Sequence, residues 1–198
     1  FDEARFLEEL QRRVAIPTTS QESDAQAALQ EYVAGEMTAS LTELGYDCTV
    51  LPNPRMEYGP FLIARRIEDP AKPTVLTYGH GDVIRGQEEQ WRDGLSPWKI
   101  VVEGNRIYGR GTADNKGQHT INIAALACVL RERGALGFNS TILIETGEET
   151  GSPGLADFCK ANRSALEADA LIGSDGPRLD HRRRTLLGGS PGSLNFYL

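Results

Sequence analysis

Three short polar clusters hold the residues of this sequence whose types and spacing could do chemistry. The first, Gly-His-Gly-Asp-Val, contains His80 and Asp82, and the second, a glycine-rich run, contains Asp114. The third is Thr-Gly-Glu-Glu-Thr-Gly-Ser, in which Glu148 and Glu149 are adjacent. One imidazole with several carboxylates makes a mixed nitrogen and oxygen donor set of the kind that zinc accepts. The clusters therefore predict a metal centre with Asp114 in its middle.

His80 and Asp82 follow a predicted strand and are two residues apart, so both side chains can point to the same side. A neutral histidine binds Zn²⁺ well, and its second ring nitrogen usually donates a hydrogen bond to a carboxylate, which Asp82 could supply. Taken alone, the pair also fits a surface turn, because short motifs have many false positives.

Asp114 precedes a predicted helix, so an N-cap is the alternative to a metal ligand. The two roles are compatible, because a carboxylate has two oxygens. A phosphate-binding loop is excluded: Asp114 stands where the G-x-G-x-x-G pattern needs glycine. Lys116 also has neither the preceding glycine nor the following Ser or Thr of a Walker loop.

Glu148 and Glu149 would repel each other unless a cation separated their roles. One could ligate a metal while the other takes a proton from water. A solvated acidic loop is the alternative for the isolated pair. Asp175 could add another oxygen ligand, although Ser-Asp-Gly-Pro is also a good turn sequence. The joint occurrence of these residues favours paired zinc ions over separate surface features.

Strands and helices alternate along the chain, which predicts an α/β fold: a mixed, mostly parallel sheet with helices on both faces. Apolar runs at 74–78, 141–145 and 170–172 are predicted strands, and each is followed by a small residue and then an acid or His. Sites in open α/β sheets form at the carboxyl ends of strands. His80, Asp114, Glu149 and Asp175 should therefore converge at one edge.

Periodicity, caps and turn residues predict the remaining elements. The predicted helices cover 2–14, the stretch from a cap at Ser23 or Asp24 to a stop at Gly45, 118–133 and 153–162. In the helix over 118–133 the residues expected to face inward are Ile121, Ala124, Ala125, Cys128 and Val129. The predicted strands cover 46–51, 61–66, 184–187 and 193–198, and 98–102 is expected to form a hairpin with 106–108.

Length and composition fit a globular chain with one domain or little more. The chain has 198 residues and a formal net charge of −7, which argues against nucleic-acid or membrane-surface partners. The three cysteines are odd in number and lack C-x-x-C spacing, as expected of free thiols in a reducing, cytoplasmic setting. No apolar run is long enough to span a membrane.

The order, spacing and flanks of the three clusters resemble the co-catalytic di-zinc metallopeptidases and amidohydrolases. That family includes aminoacylases, acetylornithine deacetylase, succinyl-diaminopimelate desuccinylase, glutamate carboxypeptidase and carnosine-type dipeptidases. The resemblance implies a zinc-exopeptidase-like catalytic domain, with 1–187 as its N-terminal part. It implies that 188–198 begins, or links to, a lid and dimerisation domain through which the full-length protein would form a homodimer. The runs after Asp114 and Glu149 look most like the dipeptidase branch.

The resemblance also implies a set of metal ligands. His80 and Asp175 would bind one zinc, Asp114 would bridge two, and Glu149 would bind the second. Co²⁺ or Mn²⁺ are alternatives to zinc. The family holds the peptide bond after its bridging Asp in the cis form, here Asp114–Asn115.

By the same resemblance, Glu148 is the general base and Asp82 orients the zinc-binding imidazole. One departure stands out: the second zinc should take another histidine, and neither His119 nor His181 matches it. The predicted activity is hydrolysis of an amide in a small substrate with a free carboxylate, either a dipeptide or an N-acyl amino acid. The 198 residues alone are expected to be an incomplete, inactive enzyme. The alternative is a non-catalytic metal-binding or interaction protein on the same scaffold.

Overall fold

The computed structural model describes residues 1–176. The predicted strands at 184–187 and 193–198, His181 and the predicted boundary at residue 187 lie outside the described residues. Within the described part, no helix is long and apolar enough to cross a membrane.

Helices and strands alternate through this part of the chain. The helices are α1 (Glu3–Ala15), α2 (Gln26–Gln30), α3 (Thr38–Glu43), α4 (Lys116–Arg133), α5 (Leu155–Ala161) and α6 (Arg163–Leu166), and a π-helical segment, Glu31–Met37, joins α2 to α3. The strands are β1 (Asp47–Leu51), β2 (Phe61–Arg66), β3 (Thr74–His80), β4 (Val101–Glu103), β5 (Arg106–Tyr108), β6 (Asn139–Glu145) and β7 (Ala170–Gly173).

Five strands form one mixed sheet in the order β1-β2-β6-β3-β7. The β1–β2 and β2–β6 pairs are antiparallel, whereas β3 pairs in parallel with both β6 and β7. The predicted α/β class with a mixed sheet is confirmed, and its parallel half contains the two strands that lead into the first and third polar clusters. β4 and β5 form a separate hairpin, as predicted, with a turn at Gly104 and Asn105.

Apolar residues cover both faces of the sheet, so helices pack on both sides as predicted. On one face, the 26–43 helical stretch and α4 pack against β2 and β6 through Tyr32, Leu41 and Ile123. On the other face, Phe158 of α5 stacks on Phe61 of β2 with ring centroids 4.1 Å apart. All seven residues of β6 are buried, as expected of a central strand covered on both faces.

The start of α1 shows how local sequence sets an element. Asp2 caps the helix, because its carboxylate accepts a hydrogen bond from the backbone amide of Arg5 at 3.0 Å. Leu10 and Val14 share the buried face four residues apart. The helix ends before Pro17, as predicted.

Two helix details were predicted wrongly. The second helix begins after Ala25 with no side-chain cap, so Ser23 and Asp24 do not have the predicted role. On α4, Ile121 and Ala125 were expected inward but are both exposed, Ile121 to 51%, whereas Ile123 is buried. The reason is that the first turn of α4 buries polar side chains, which rotates Ile121 to the opposite face.

Candidate metal centre

The first and third polar clusters lie side by side because of strand register. β3 and β6 run in parallel, and His80, the last residue of β3, is paired with Glu145, the last residue of β6. The chain leaves β6 through a tight turn at Gly147 and enters a short 3₁₀ turn that starts with Glu148. The two clusters therefore emerge at the same sheet edge.

His80 is fully buried, and both ring nitrogens have partners. Nδ1 lies 3.0 Å from the backbone oxygen of Asp82 and 3.3 Å from its carboxylate Oδ1. Nε2 faces the cluster and lies 2.9 Å from Asp114 Oδ1. Because Asp82 engages Nδ1, Nε2 is the nitrogen directed at the other donors.

His80 Nε2 lies close to two other candidate metal ligands. One ligand atom each from His80, Asp114 and Asp175 lies within 4.8 Å of the others, a group that could hold a metal ion. Asp175 Oδ1 and Glu148 Oε2 are each 3.9 Å from His80 Nε2. Of the four residues expected to converge, the structure therefore brings His80, Asp114 and Asp175 together.

Glu149 is not a member of that group of three ligands, although the charge of Asp114 acts on its carboxyl group. Burial raises the pKa of Glu149 to about 7, and the nearby negative charge of Asp114 adds to the rise. Burial also raises the pKa of Glu148, with help from the charges of Asp175 and Asp82. Both glutamates therefore lie among like charges.

Asp82 ties the imidazole to the turn that carries the two glutamates. Its side chain is fully buried. Its two oxygens accept hydrogen bonds from the backbone amides of Glu148 at 3.2 Å and Glu149 at 3.1 Å. Ser20 donates a further hydrogen bond at 2.6 Å. The Asp82 carboxylate thus holds the candidate metal ligand His80 and the turn with Glu148 and Glu149 next to each other.

The acidic surroundings also act on the imidazole itself. Burial lowers the pKa of His80, but the hydrogen bond to Asp82 and the charges of Asp82, Asp175 and Glu148 outweigh it and raise the pKa to about 9. The cluster therefore favours a cation at this position, whether a proton on the ring or an ion beside it.

The second polar cluster places Asp114 beside the imidazole rather than on the helix that follows. The N-cap of α4 is Asn115, and no side chain caps the helix. The alternative of Asp114 as an N-cap is therefore wrong. The Asp114–Asn115 peptide bond is cis, as the family resemblance implied. The Asp114 carboxylate is 67% exposed, so it stands at the open side of the site.

Three polar residues beneath the site escaped the sequence analysis as functional candidates: Asn115, Lys116 and His119, all of them buried. Asn115 contacts both strand-end regions: its Oδ1 accepts from the backbone amide of His80, and its Nδ2 donates to Asp175 Oδ1. The spacing of Asn115 and His119 was the available signal, since residues four apart on a helix are neighbours. Both ring nitrogens of His119 contact protein side chains, Nδ1 that of Asn115 and Nε2 that of Tyr32.

Comparison with known proteins places these features in a family. A profile of peptidase family M20/M25/M40 matches residues 76–185. The Cys-Gly metallodipeptidase DUG1 of Candida albicans is 28% identical over 91% of this chain and 41% of its own length. The Beta-Ala-His dipeptidase of Rattus norvegicus is 31% identical over 74% of this chain and 29% of its own length.

Solved structures agree. Human carnosine dipeptidase 1 superposes with a TM-score of 0.80 and 26% identity, over 87% of this chain and 38% of that protein. An M20 family metallo-carboxypeptidase from Sulfolobus solfataricus, Sso-CP2, gives 0.77 and 28% identity, over 92% and 39%. The chain spans only 27–42% of the length of the curated relatives it matches.

Proposed function

The chain belongs to peptidase family M20/M25/M40, and from that membership we propose that it carries the metal-binding half of a hydrolase. The bond cleaved would be the amide of a small substrate with a free carboxylate, a dipeptide or an N-acyl amino acid. The observation that supports this most strongly is the meeting of His80, Asp114 and Asp175, with Glu148 beside them. The dipeptidase relatives favour a dipeptide.

The donors fit zinc by their chemistry. One imidazole nitrogen and carboxylate oxygens are ordinary zinc ligands, and a histidine whose second nitrogen meets a carboxylate is the usual arrangement. In this proposal His80 and Asp175 would hold one ion, Glu149 would hold the second, and Asp114 would contribute to both. The chemistry that bound zinc supplies is Lewis acidity, which polarises the scissile carbonyl and makes water easier to deprotonate.

Glu148 is the proton carrier in this scheme. It lies in the cluster with its carboxylate 39% exposed, so it can reach both the other donors and a substrate. Burial and neighbouring negative charges raise its pKa, which brings a carboxylate closer to the range suited to general base catalysis. It would take a proton from the attacking water and return it to the leaving nitrogen. Asp82 would hold Glu148 and the His80 imidazole in a fixed relative position, because it contacts both the ring and the Glu148 backbone amide.

The second ion has fewer donors. Among the described residues it would have the carboxylates of Asp114 and Glu149, and no imidazole beyond those already engaged. We propose that the complete site needs a further nitrogen donor, and that the full-length protein has a lid and dimerisation domain. The three cysteines, all free thiols, support a cytoplasmic location.

The test is Glu148→Gln in the full chain, assayed with added zinc on dipeptides and N-acyl amino acids. Turnover should fall by about 10²–10⁴ while zinc content stays unchanged, because the variant keeps shape but cannot accept a proton. Glu103→Gln is the control and should leave turnover unchanged, because Glu103 is an exposed glutamate of β4 that pairs with Arg92 and with no residue of the three polar clusters. Wild-type zinc binding without hydrolysis of any substrate would instead favour the non-catalytic metal-binding alternative.

A further inference from the structure

A chain of buried hydrogen bonds leads from the far side of α4 to the proposed metal ligands. Tyr32 Oη lies 2.6 Å from His119 Nε2, and His119 Nδ1 lies 3.0 Å from Asn115 Oδ1. Asn115 Nδ2 then donates to Gln118 Oε1 at 2.6 Å, and its other proton faces the backbone oxygen of Ser174 at 3.1 Å and Asp175 Oδ1 at 3.2 Å. Tyr32 and Asn115 are fully buried, and His119 is 3% exposed.

The direction of every hydrogen bond in this chain follows from one fixed donor. The backbone amide of His80 points at Asn115 Oδ1 at 3.3 Å, so the amide oxygen, not its nitrogen, must face that side. His119 Nδ1 meets the same oxygen and must therefore carry the proton. A neutral ring then accepts at Nε2, and Tyr32 donates to it. Burial, together with the positive charges of Arg13, His80 and Lys116, lowers the pKa of His119 and keeps the ring neutral.

These side chains pack closely against the backbone around His80. A Cβ on Gly79 would lie 3.0 Å from both Asn115 Oδ1 and His119 Cβ. A Cβ on Gly81 would lie 2.5 Å from the ring of Tyr32. The glycines on either side of His80 therefore admit the hydrogen-bonded chain directly against the strand that presents the imidazole.

The segment that carries Tyr32 has an unusual backbone conformation. Tyr32 lies in the π-helical segment, a rare conformation that is often found at functional sites. The Lys116 ammonium lies 4.8 Å from the centre of the Tyr32 ring and donates to the carbonyl oxygens of Arg13 and Ile16. The tyrosine is thus fixed from both faces, with its hydroxyl directed at His119.

We propose that Tyr32, His119 and Asn115 form a positioning chain that holds Asp175 and the His80 backbone in the geometry that binds the ion. The inference rests on the proposed function, since it concerns the same ligands. Partners that orient metal ligands typically contribute about 10–100-fold in affinity. These three residues are positioning residues, because none of them would touch the ion or the substrate.

The experiment measures zinc affinity of the full chain by competition with a chromophoric chelator. His119→Leu should weaken binding by about 10–100-fold. Tyr32→Phe, which removes only the hydroxyl, should weaken it by about three- to tenfold, the value of one hydrogen bond. His119→Asn keeps an amide N–H at about the place of Nδ1 but loses the acceptor of the Tyr32 hydroxyl, so it should weaken binding by about three- to tenfold, as Tyr32→Phe does and less than His119→Leu.

The matched control is Tyr46→Phe. Tyr46 is 3% exposed, lies in the same apolar core as Tyr32, and donates its hydroxyl to Ser140 Oγ at 2.8 Å. It should lose as much thermal stability as Tyr32→Phe but bind zinc as wild type does. If both tyrosine variants change zinc affinity equally, the effect is general destabilisation and the inference fails.

A second readout needs no metal. Long-range ¹H–¹⁵N spectra should show the His119 ring protonated at Nδ1 and free at Nε2, and a proton at Nε2 would overturn the assigned directions. Wild-type affinity in both His119→Leu and Tyr32→Phe would overturn the inference while leaving the proposed function intact. A wild-type chain that binds no zinc would overturn both. If His119→Leu does not fold, Tyr32→Phe and His119→Asn decide the question.

Discussion

Two clusters of charged side chains meet at the start of α4, and they differ in how their charges are matched. The balanced cluster consists of Arg5, Glu9, Arg12, Arg13 and Glu36. Arg13 is fully buried, yet its guanidinium lies 3.3 Å from Glu36 and 3.7 Å from Glu9 and donates to Thr120 at 2.7 Å. The buried guanidinium is thus matched by one carboxylate of its own helix and by one from the π-helical segment.

The acidic cluster is the opposite case. It consists of His80, Asp82, Asp114, Glu148, Glu149 and Asp175, so a single imidazole faces five carboxylates. Burial is the largest cause of the raised pKa values of Glu148 and Glu149, and the neighbouring carboxylates raise them further. The comparison teaches that burial of charge alone does not mark a binding site. An unmatched excess of one sign does, because only a ligand of the other sign completes it.

The largest expected effect is in the balanced cluster. Arg13→Leu should lower the free energy of unfolding by about 3–5 kcal/mol, since it removes the fully buried partner and leaves Glu9 and Glu36 only the part-exposed Arg5 and Arg12. Chemical denaturation measures this. Arg12→Leu is the control: Arg12 also contacts Glu36 but is 46% exposed, so its loss should cost at most about 1 kcal/mol. Equal losses in the two variants would mean that Arg13 is not stabilised by burial and pairing.

The next effect separates the clusters by their response to zinc. At a free zinc concentration of 100 times the dissociation constant, binding should stabilise the wild-type chain by about 2.7 kcal/mol. His80→Ala should lose this increment, whereas Arg13→Leu should keep it despite its lower baseline. Thermal unfolding with and without zinc measures both. A zinc increment that persists in His80→Ala would place the ion elsewhere.

The smallest effect is a pH dependence of the zinc-free protein. The pKa of Glu149 rises from its ordinary 4.5 to about 7 on folding, so the folded state holds its proton more tightly. This contribution should therefore destabilise the fold as pH rises from about 4.5 to 7, and stay constant above that. After allowance for its partial exposure, the loss should be about 1–2 kcal/mol.

Glu149→Gln should flatten that part of the stability curve, measured by denaturation in the presence of a chelator. Glu22→Gln, at a half-exposed glutamate paired with Arg85, is the comparison and should keep the wild-type slope. If Glu149→Gln leaves the slope of stability against pH unchanged, the pKa of Glu149 is not raised by folding.

Local patterns predicted most of what positions the site. Strand ends, glycine turns and the end of α4 at Gly134 depend on neighbours in sequence, so the sequence alone could assign His80, Asp114 and Asp175 to one edge. The balanced cluster could not be predicted, because burying Arg13 depends on Thr120, 107 residues later. The same limit explains the wrong prediction at Ile121. The buried face of α4 depends on polar partners that are distant in sequence, and the spacing of apolar residues gives no information about them.

The register of β3 with β6 has a consequence for the order of events in folding. His80 and Glu145 pair across a long stretch of chain, and β7 joins β3 only after a further helical connection. Closing such loops costs conformational entropy before the strand contacts return it, so parallel pairing of this kind forms slowly. The donors would stay dispersed along the nascent polypeptide until the sheet has closed. Zinc added to a refolding mixture should therefore leave the early kinetic phases unchanged and slow only the unfolding of the finished domain.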